Sequence, residues 1–282
     1  MNETKRWDLI LEPNRAWWDL RLRQVWRYRD LILLFVRRDF VSYYKQTILG
    51  PLWFLIQPIL TTLTFTVIFG NIASMSTDGL PQFLFYMSGT VIWSYFAECL
   101  RKTSDTFISN ANIFGKVYFP RLIMPISVLI SNLITFVIQF LLFLGFVVYF
   151  LIAGSNIQVT WNVLILPLLL FLMAGLGLGF GIIISSLTTK YRDLRFLIQF
   201  GVQLWMYATP VIYPVSSIPE KYQWIIQLNP LSPIVEAFRY AFLGTGAFSW
   251  ASLAYSFGVM VVVFLVGVVI FNRVETTFMD TV

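Results

Sequence analysis

The sequence has no histidine and a single cysteine, Cys99. The commonest metal ligand and general base is therefore missing, and no disulfide can form within the chain. Charge is also scarce: only 12% of the 282 residues are Asp, Glu, Lys or Arg, against roughly 25% in a soluble domain. The one Gly-Lys pair, Gly115 and Lys116, is followed by Val117 and has no glycine at the upstream position of G-x-x-x-x-G-K-[ST]. The chain thus lacks the backbone cradle by which a P-loop holds ATP. No paired carboxylates and no Ser/His/Asp set share a pocket, which argues against an intramembrane glycosyltransferase or protease, and no catalytic residue is expected. Nor does any apolar run carry a charge near its centre. Glu98, beside Arg101, comes nearest, about one turn from a run's end. Proton-coupled and ion-coupled carriers use an ionisable relay at membrane depth, so secondary transport is disfavoured.

What the sequence does contain is apolar and aromatic, with 58% hydrophobic residues and 18% Phe, Trp and Tyr. Runs long enough to cross about 30 Å of hydrocarbon fall at 50–70, 83–100, 122–153, 161–187, 196–214 and 251–271. They predict an all-α membrane protein with six transmembrane helices and both termini on one side. The third run is long enough to tilt steeply or protrude. The first forty residues are charged and Trp-rich, with no apolar core leading to a small-residue cleavage site, so the N-terminus is expected to stay where it was made. If that side is cytoplasmic, only Lys221 and Arg239 of the 20 lysines and arginines fall on the other. This is the positive-inside pattern of a multi-pass protein of the cytoplasmic (inner) membrane. It also accounts for the net charge of +6 without nucleic acid.

The expected organisation is a cytoplasmic segment over 1–49, a transmembrane domain over 50–272 and a cytoplasmic tail over 273–282. Within the first segment, Arg27, Arg38 and Lys45 share an arc opposite Ile32, Val36 and Phe40, although Leu31 and Leu34 break the pattern. An imperfect amphipathic interfacial helix over about 26–45 follows, either as an anchor in the headgroup plane or also as a docking surface for a cytoplasmic partner. In "AGLGLGFG", Gly175 with Gly179 and Gly177 with Gly181 make two small faces at four-residue spacing. These suit close helix contact, within the chain or across a dimer seam.

Uncharged polar residues recur within the spans, among them Gln57, Thr61, Asn132, Gln139 and Gln203, with Tyr207 beside them. They serve either as helix-to-helix hydrogen bonders or as the lining of a conduit for a neutral polyhydroxylated substrate, since amides suit hydroxyls and aromatic faces suit sugar C–H groups. Between spans two and three, "RKTSDTFISNANIFGKVYFPRLIMP" has a turn at Asn110 and Asn112 and is bracketed by Pro120 and Pro125. A short helix there would leave Ile113, Phe114, Val117 and Phe119 protruding, and apolar side chains offered to water call for a partner groove. The second inner loop, with Tyr191, Arg192 and Asp193, is short and charged. After Pro210 and Pro214, residues 215–250 hold two helical candidates, 220–227 and 233–243, each too short to span. A re-entrant external hairpin between spans five and six is one reading, because irregular backbone inside a membrane is tolerated only against protein or water. An interfacial aromatic belt is the other.

Four stretches, "RRDFVSYYKQTILGPLWFLIQP", "KVYFPRLIMPIS", "YRDLRFLIQFGVQLWMYATPVIYP" and "LNPLSPIVEAFRYAFLG", occur in an order that resembles the membrane subunit of ABC-type polysaccharide exporters, the O-antigen, capsule and teichoic acid export permeases. The resemblance covers nearly everything from about Arg37 onward. It implies a homodimer of six-span subunits on two copies of a nucleotide-binding ATPase. ATP and Mg²⁺ would be held by that partner and no cofactor by this chain, and the substrate would be a polysaccharide attached to a polyprenyl diphosphate membrane lipid. On the same resemblance Asn112, Ile113, Phe114, Lys116, Val117, Tyr118, Phe119 and Arg121 belong to a coupling helix that docks into the ATPase. Tyr222, Trp224, Asn229, Pro230, Pro233, Phe238 and Arg239 would then belong to gate helices at the external mouth. An exporter of small amphipathic molecules with the same architecture, or a scaffold with no path of its own, are the rival readings.

Overall fold

A computed structural model describes residues 22–45, 48–114, 116–117, 119–188 and 193–278; the Trp-rich first twenty residues, Tyr118, Tyr191 and Arg192 lie outside them. The regular structure of the described residues is helical, with no strand among them. The N-terminal segment forms α1 (Leu22–Arg27) and α2 (Arg29–Tyr44). α3 (Trp53–Phe65) continues into a π-helix (Thr66–Ile72), and α4 (Gln82–Ser104) follows. α5 (Thr106–Ser109) and α6 (Ala111–Phe114) lead to α7 (Ile123–Ile152), and then come α8 (Leu166–Thr188), α9 (Leu194–Tyr207), α10 (Glu220–Leu228), α11 (Ser232–Leu243) and α12 (Trp250–Phe278).

Among the described residues four helical stretches are both long and apolar enough to cross a membrane: Gly50–Ile72, Ile123–Ile152, Trp161–Thr188 and Trp250–Phe271. The two other predicted spans lie on α4 and α9. α4 has 23 residues, about 34 Å at 1.5 Å per residue, but it is sheathed by α3, α7, α8 and α11. A helix surrounded by protein need not be uniformly apolar, and Ser88, Thr90 and Ser94 return their hydroxyls to carbonyls of their own helix. α9 has 14 residues, about 21 Å. It stops at Tyr207, before Pro210, rather than running on to 214. α7, at 30 residues, is about 45 Å long and has the excess length its sequence predicted.

Without a solvent-driven hydrophobic force between helices in lipid, close approach and dispersion must hold them. α8 meets both requirements, packing lengthwise on α4 and α12. A Cβ on Gly177 would stand 2.9 Å from Cys99 Cβ, and one on Gly181 2.6 Å from Thr103 Cβ, both on α4. Gly175 abuts Met260, and a Cβ on Gly179 would stand 3.0 Å from Val263 Cγ1, both on α12. Both small faces are thus covered by the chain's own helices and neither is free to form a dimer seam.

α2 lays Ile32, Phe35 and Val36 against the chain while Arg37 and Arg38 remain exposed. Phe40 stacks on Phe54 at 5.9 Å. Leu33 and Leu34 share the exposed side with the arginines, so the exposed face is mixed.

Replacing Gly181 by Val should separate α8 from α4 and lower stability by about 1–3 kcal/mol, read as earlier thermal unfolding in detergent. Gly145→Ala, where a Cβ meets nothing within 4 Å, should leave the unfolding curve in place.

Candidate functional site

The loop between α4 and α7 folds back on itself. Asn110 donates from Nδ2 to Thr106 O at 3.0 Å, and its own carbonyl accepts from the amides of Ile113 and Phe114. α6 is thereby turned against α5, and the loop's rings point inward. Phe107 sits between Phe114, at 6.0 Å, and Phe271 of α12, at 4.9 Å. Phe119 lies 5.6 Å from Phe114 and 5.8 Å from Phe35 of α2. The Arg121 guanidinium lies 5.7 Å from the Phe114 ring centre and 6.0 Å from that of Phe107. A cation over aromatic faces is attracted by their quadrupoles, the more so when desolvated.

Phe114 and Phe119, only 6% and 4% exposed, therefore do not protrude as the sequence predicted. Their rings, with Phe107, Phe35, Phe271 and Arg121, make a box joining the loop to α2 and α12. What the loop does expose is its tip: Asn112, Lys116 and Val117, the last at 57% exposure, with Ile113 half-buried beside them. The ends of α8 and α9 brace this platform. Arg195 pairs with Asp105, Thr188 Oγ1 donates to Ser104 O at 3.2 Å, and Asp193 is exposed. Glu98 bridges Arg101 at 2.7 Å and Lys102 at 3.8 Å.

Of the six candidate lining residues, Gln57, Gln203 and Tyr207 are exposed, Thr61 and Gln139 are half-buried, and Asn132 is buried. Asn132 Oδ1 accepts from Lys102 Nζ at 2.9 Å, and Nδ2 lies 3.8 Å from Cys99 Sγ. It binds helix to helix. A cleft of about 390 Å³ opens between α2, α4, α5 and α7 beside the loop, with Arg38, Lys102, Asn110 and Thr135 in its wall. None of the six lines it.

At the hairpin, Tyr222 and Trp224 stand exposed on α10. The other gate candidates turn inward. Asn229 Oδ1 accepts from Trp205 Nε1 at 3.2 Å and from Leu231 N at 3.1 Å; its Nδ2 donates to Thr209 Oγ1 at 2.8 Å and to Ala208 O at 3.1 Å. That side chain clamps the end of α9 to the α10–α11 turn. Pro230 is buried, its carbonyl accepting from Ser256 Oγ at 2.7 Å, and Pro233 is half-buried at the start of α11. Phe238 is fully buried against Phe143 and Phe242, at 5.6 and 4.8 Å.

Arg239 is 1% exposed. It pairs with Glu236 at 2.8 Å and donates to Pro210 O at 3.0 Å and to Val211 O at 3.3 Å, with its guanidinium carbon 3.9 Å from the centre of the Phe85 ring. A charge that deep needs such partners. Burial pushes the Glu236 carboxyl up, while Arg239 and the Ala247 amide, 3.1 Å from Oε2, hold it down. Ser216 Oγ donates to Asp78 at 2.7 Å close by. Glu236 and Asp78 were not singled out from sequence. The three-residue spacing of Glu236 and Arg239 on an otherwise apolar helix was the readable signal. Among the described residues no three His, Cys, Asp or Glu side chains gather as metal ligands would.

Residues 30–243 match the family model described as ABC-2 type transporter. The chain is 31% identical over 253 residues to the O-antigen export system permease protein RfbA of Klebsiella pneumoniae, covering 89% of this chain and 94% of that one. It is 26% identical to the RfbA of Myxococcus xanthus, over 78% of this chain and 83% of the relative. It is also 23% identical to the polysialic acid transport protein KpsM of Escherichia coli, over 80% and 86%.

Arg239→Met should strand Glu236 as an unpaired buried charge and cost about 3–5 kcal/mol. The double variant Glu236→Gln/Arg239→Met should recover part of that loss, and thermal unfolding of the purified protein measures both.

Proposed function

The chain belongs to the ABC-2 type transporter family, and from that premise we propose that it forms the membrane path of an ATP-driven exporter of a lipid-linked polysaccharide. The observation that carries the proposal is the likeness, over most of both chains, to relatives named for O-antigen export and polysialic acid transport. In this reading two copies associate, each crossing the inner membrane six times with α4 and α9 as the second and fifth spans, and with both termini cytoplasmic. Two copies of a separate ATPase hold ATP and Mg²⁺. The hairpin of α10 and α11 re-enters the membrane from the outer side.

The loop geometry supports a coupling role for residues 110–121, with its parts redistributed. Asn112, Lys116 and Val117 are the contact surface a partner would meet. The aromatic box behind them is the part that carries displacement to α2 and α12, because close-packed rings cannot yield individually. Above the inner loops, the membrane interior offers hydroxyls, amides and aromatic faces without an unpaired charge. Those surfaces suit the passage of a neutral polyol.

Depleting the protein in its native cell should leave finished lipid-linked glycan in the cytoplasmic leaflet. A normal glycan coat would remove polysaccharide from the reading and favour export of small amphipathic molecules. Val117→Asp should cut export and substrate-stimulated ATP hydrolysis at least fivefold while membrane yield stays normal. Phe114→Asp should instead reduce folded yield. Unchanged export in Val117→Asp would place the ATPase contact elsewhere.

A further inference from the structure

Between α10, α11 and the first turns of α12 lies a second cleft of about 390 Å³, within the roughly 300–1,000 Å³ of small-ligand sites. Its polar wall comprises Gln227, Ser232, Glu236, Ser249, Ser252 and Tyr255. Val215 and Ile226 supply apolar surface.

Three features define what would bind there. Ser232 is 4% exposed, yet its hydroxyl has no hydrogen-bond partner, an uncommon condition for a buried polar group. The Tyr255 hydroxyl donates to Leu228 O at 2.8 Å and keeps acceptor capacity. Each Glu236 oxygen takes one donor, from Arg239 or the Ala247 amide, and can accept another. The cleft thus combines donors and acceptors with an apolar wall and a tyrosine ring.

No cation is in its wall. Arg239, behind Glu236, is held by that carboxylate, two backbone carbonyls and the Phe85 ring. A phosphate-bearing headgroup would call for a cation here, whereas an uncharged ring of hydroxyls with an apolar C–H face matches what the wall offers.

We propose that this cleft binds one glycosyl unit of a neutral polysaccharide, an assignment that rests on the reading of the chain as a polysaccharide exporter. The cleft then holds a sugar beside the hairpin.

The test uses the full chain in lipid nanodiscs, with methyl glycosides of neutral hexoses and of N-acetylhexosamine as probes and glycerol 3-phosphate as the headgroup control. Saturation-transfer NMR should show transfer to at least one glycoside and none to glycerol 3-phosphate. Ser252→Phe, which fills the cleft, should lower that transfer at least fivefold. Gln227→Ala, at an exposed position that cannot compromise the core, should lower it at least twofold. No transfer to any glycoside, transfer undiminished in both variants, or transfer to glycerol 3-phosphate instead would overturn the assignment. Glycan stranded in the cytoplasmic leaflet on depletion, together with absent glycoside transfer, would remove the cleft and leave the export reading standing.

Discussion

The Arg239 guanidinium is the point on which one end of the molecule depends. It joins α11 to α4 through the Phe85 ring and to the chain after α9 through the carbonyls of Pro210 and Val211; through Glu236 it reaches the Ala247 amide ahead of α12. Residues 208–214 are irregular, and buried irregular backbone must find donors for its carbonyls. Arg239 supplies them from a helix that packs its own phenylalanines into α7. The charge therefore satisfies a break in the fold, and the break in turn makes the charge tolerable.

The helices around it follow from the same solvent argument. When lipid replaces water, association gains little from transferring apolar surface and much from contact at close range. α8 accordingly has glycine where it meets α4 and α12, and the larger residues lie between. Several polar side chains on the buried faces are paired locally, as are Ser88 and Thr90 with carbonyls of their own helix, or across one helix contact, as with Asn132 and Lys102. This explains how α4 can run through the interior of the fold while carrying more hydroxyls than a lipid-facing helix.

Much of this was legible in the sequence. Proline punctuation placed the two hairpin helices within two residues of their observed bounds, because proline constrains the local backbone whatever surrounds it. The excess length of α7 and the twin glycine faces were readable for similarly local reasons. The direction of Phe114 and Phe119 was not. An apolar loop residue satisfies itself equally well in a partner's groove or against its own chain, and only the turn at Asn110 and the presence of Phe35 and Phe271 decide between them. The burial of Arg239 was not legible for a related reason: topology rules count charges in loops and take no account of a partner three residues back.

α12 connects the two ends. Near its start, Ser256 donates to Pro230 O and Tyr255 to Leu228 O, so the hairpin turn hangs on this helix. Toward its other end, Phe271 stacks on Phe107 within the aromatic box of the loop. About 22 Å of continuous α-helix, at 1.5 Å per residue, separates Ser256 from Phe271. A helix clamped at both ends transmits translation and rotation with little loss, since its own hydrogen bonds resist bending. α9 is held at one end by Arg195 on Asp105 and at the other by Asn229 on Thr209 and Ala208. Two helices thus connect the loop platform to the hairpin, while α10 buries no residue of its own. In a molecule tied this way, displacement of the platform converges on the α10–α11 turn, and α10, with no buried residue, has little to oppose it.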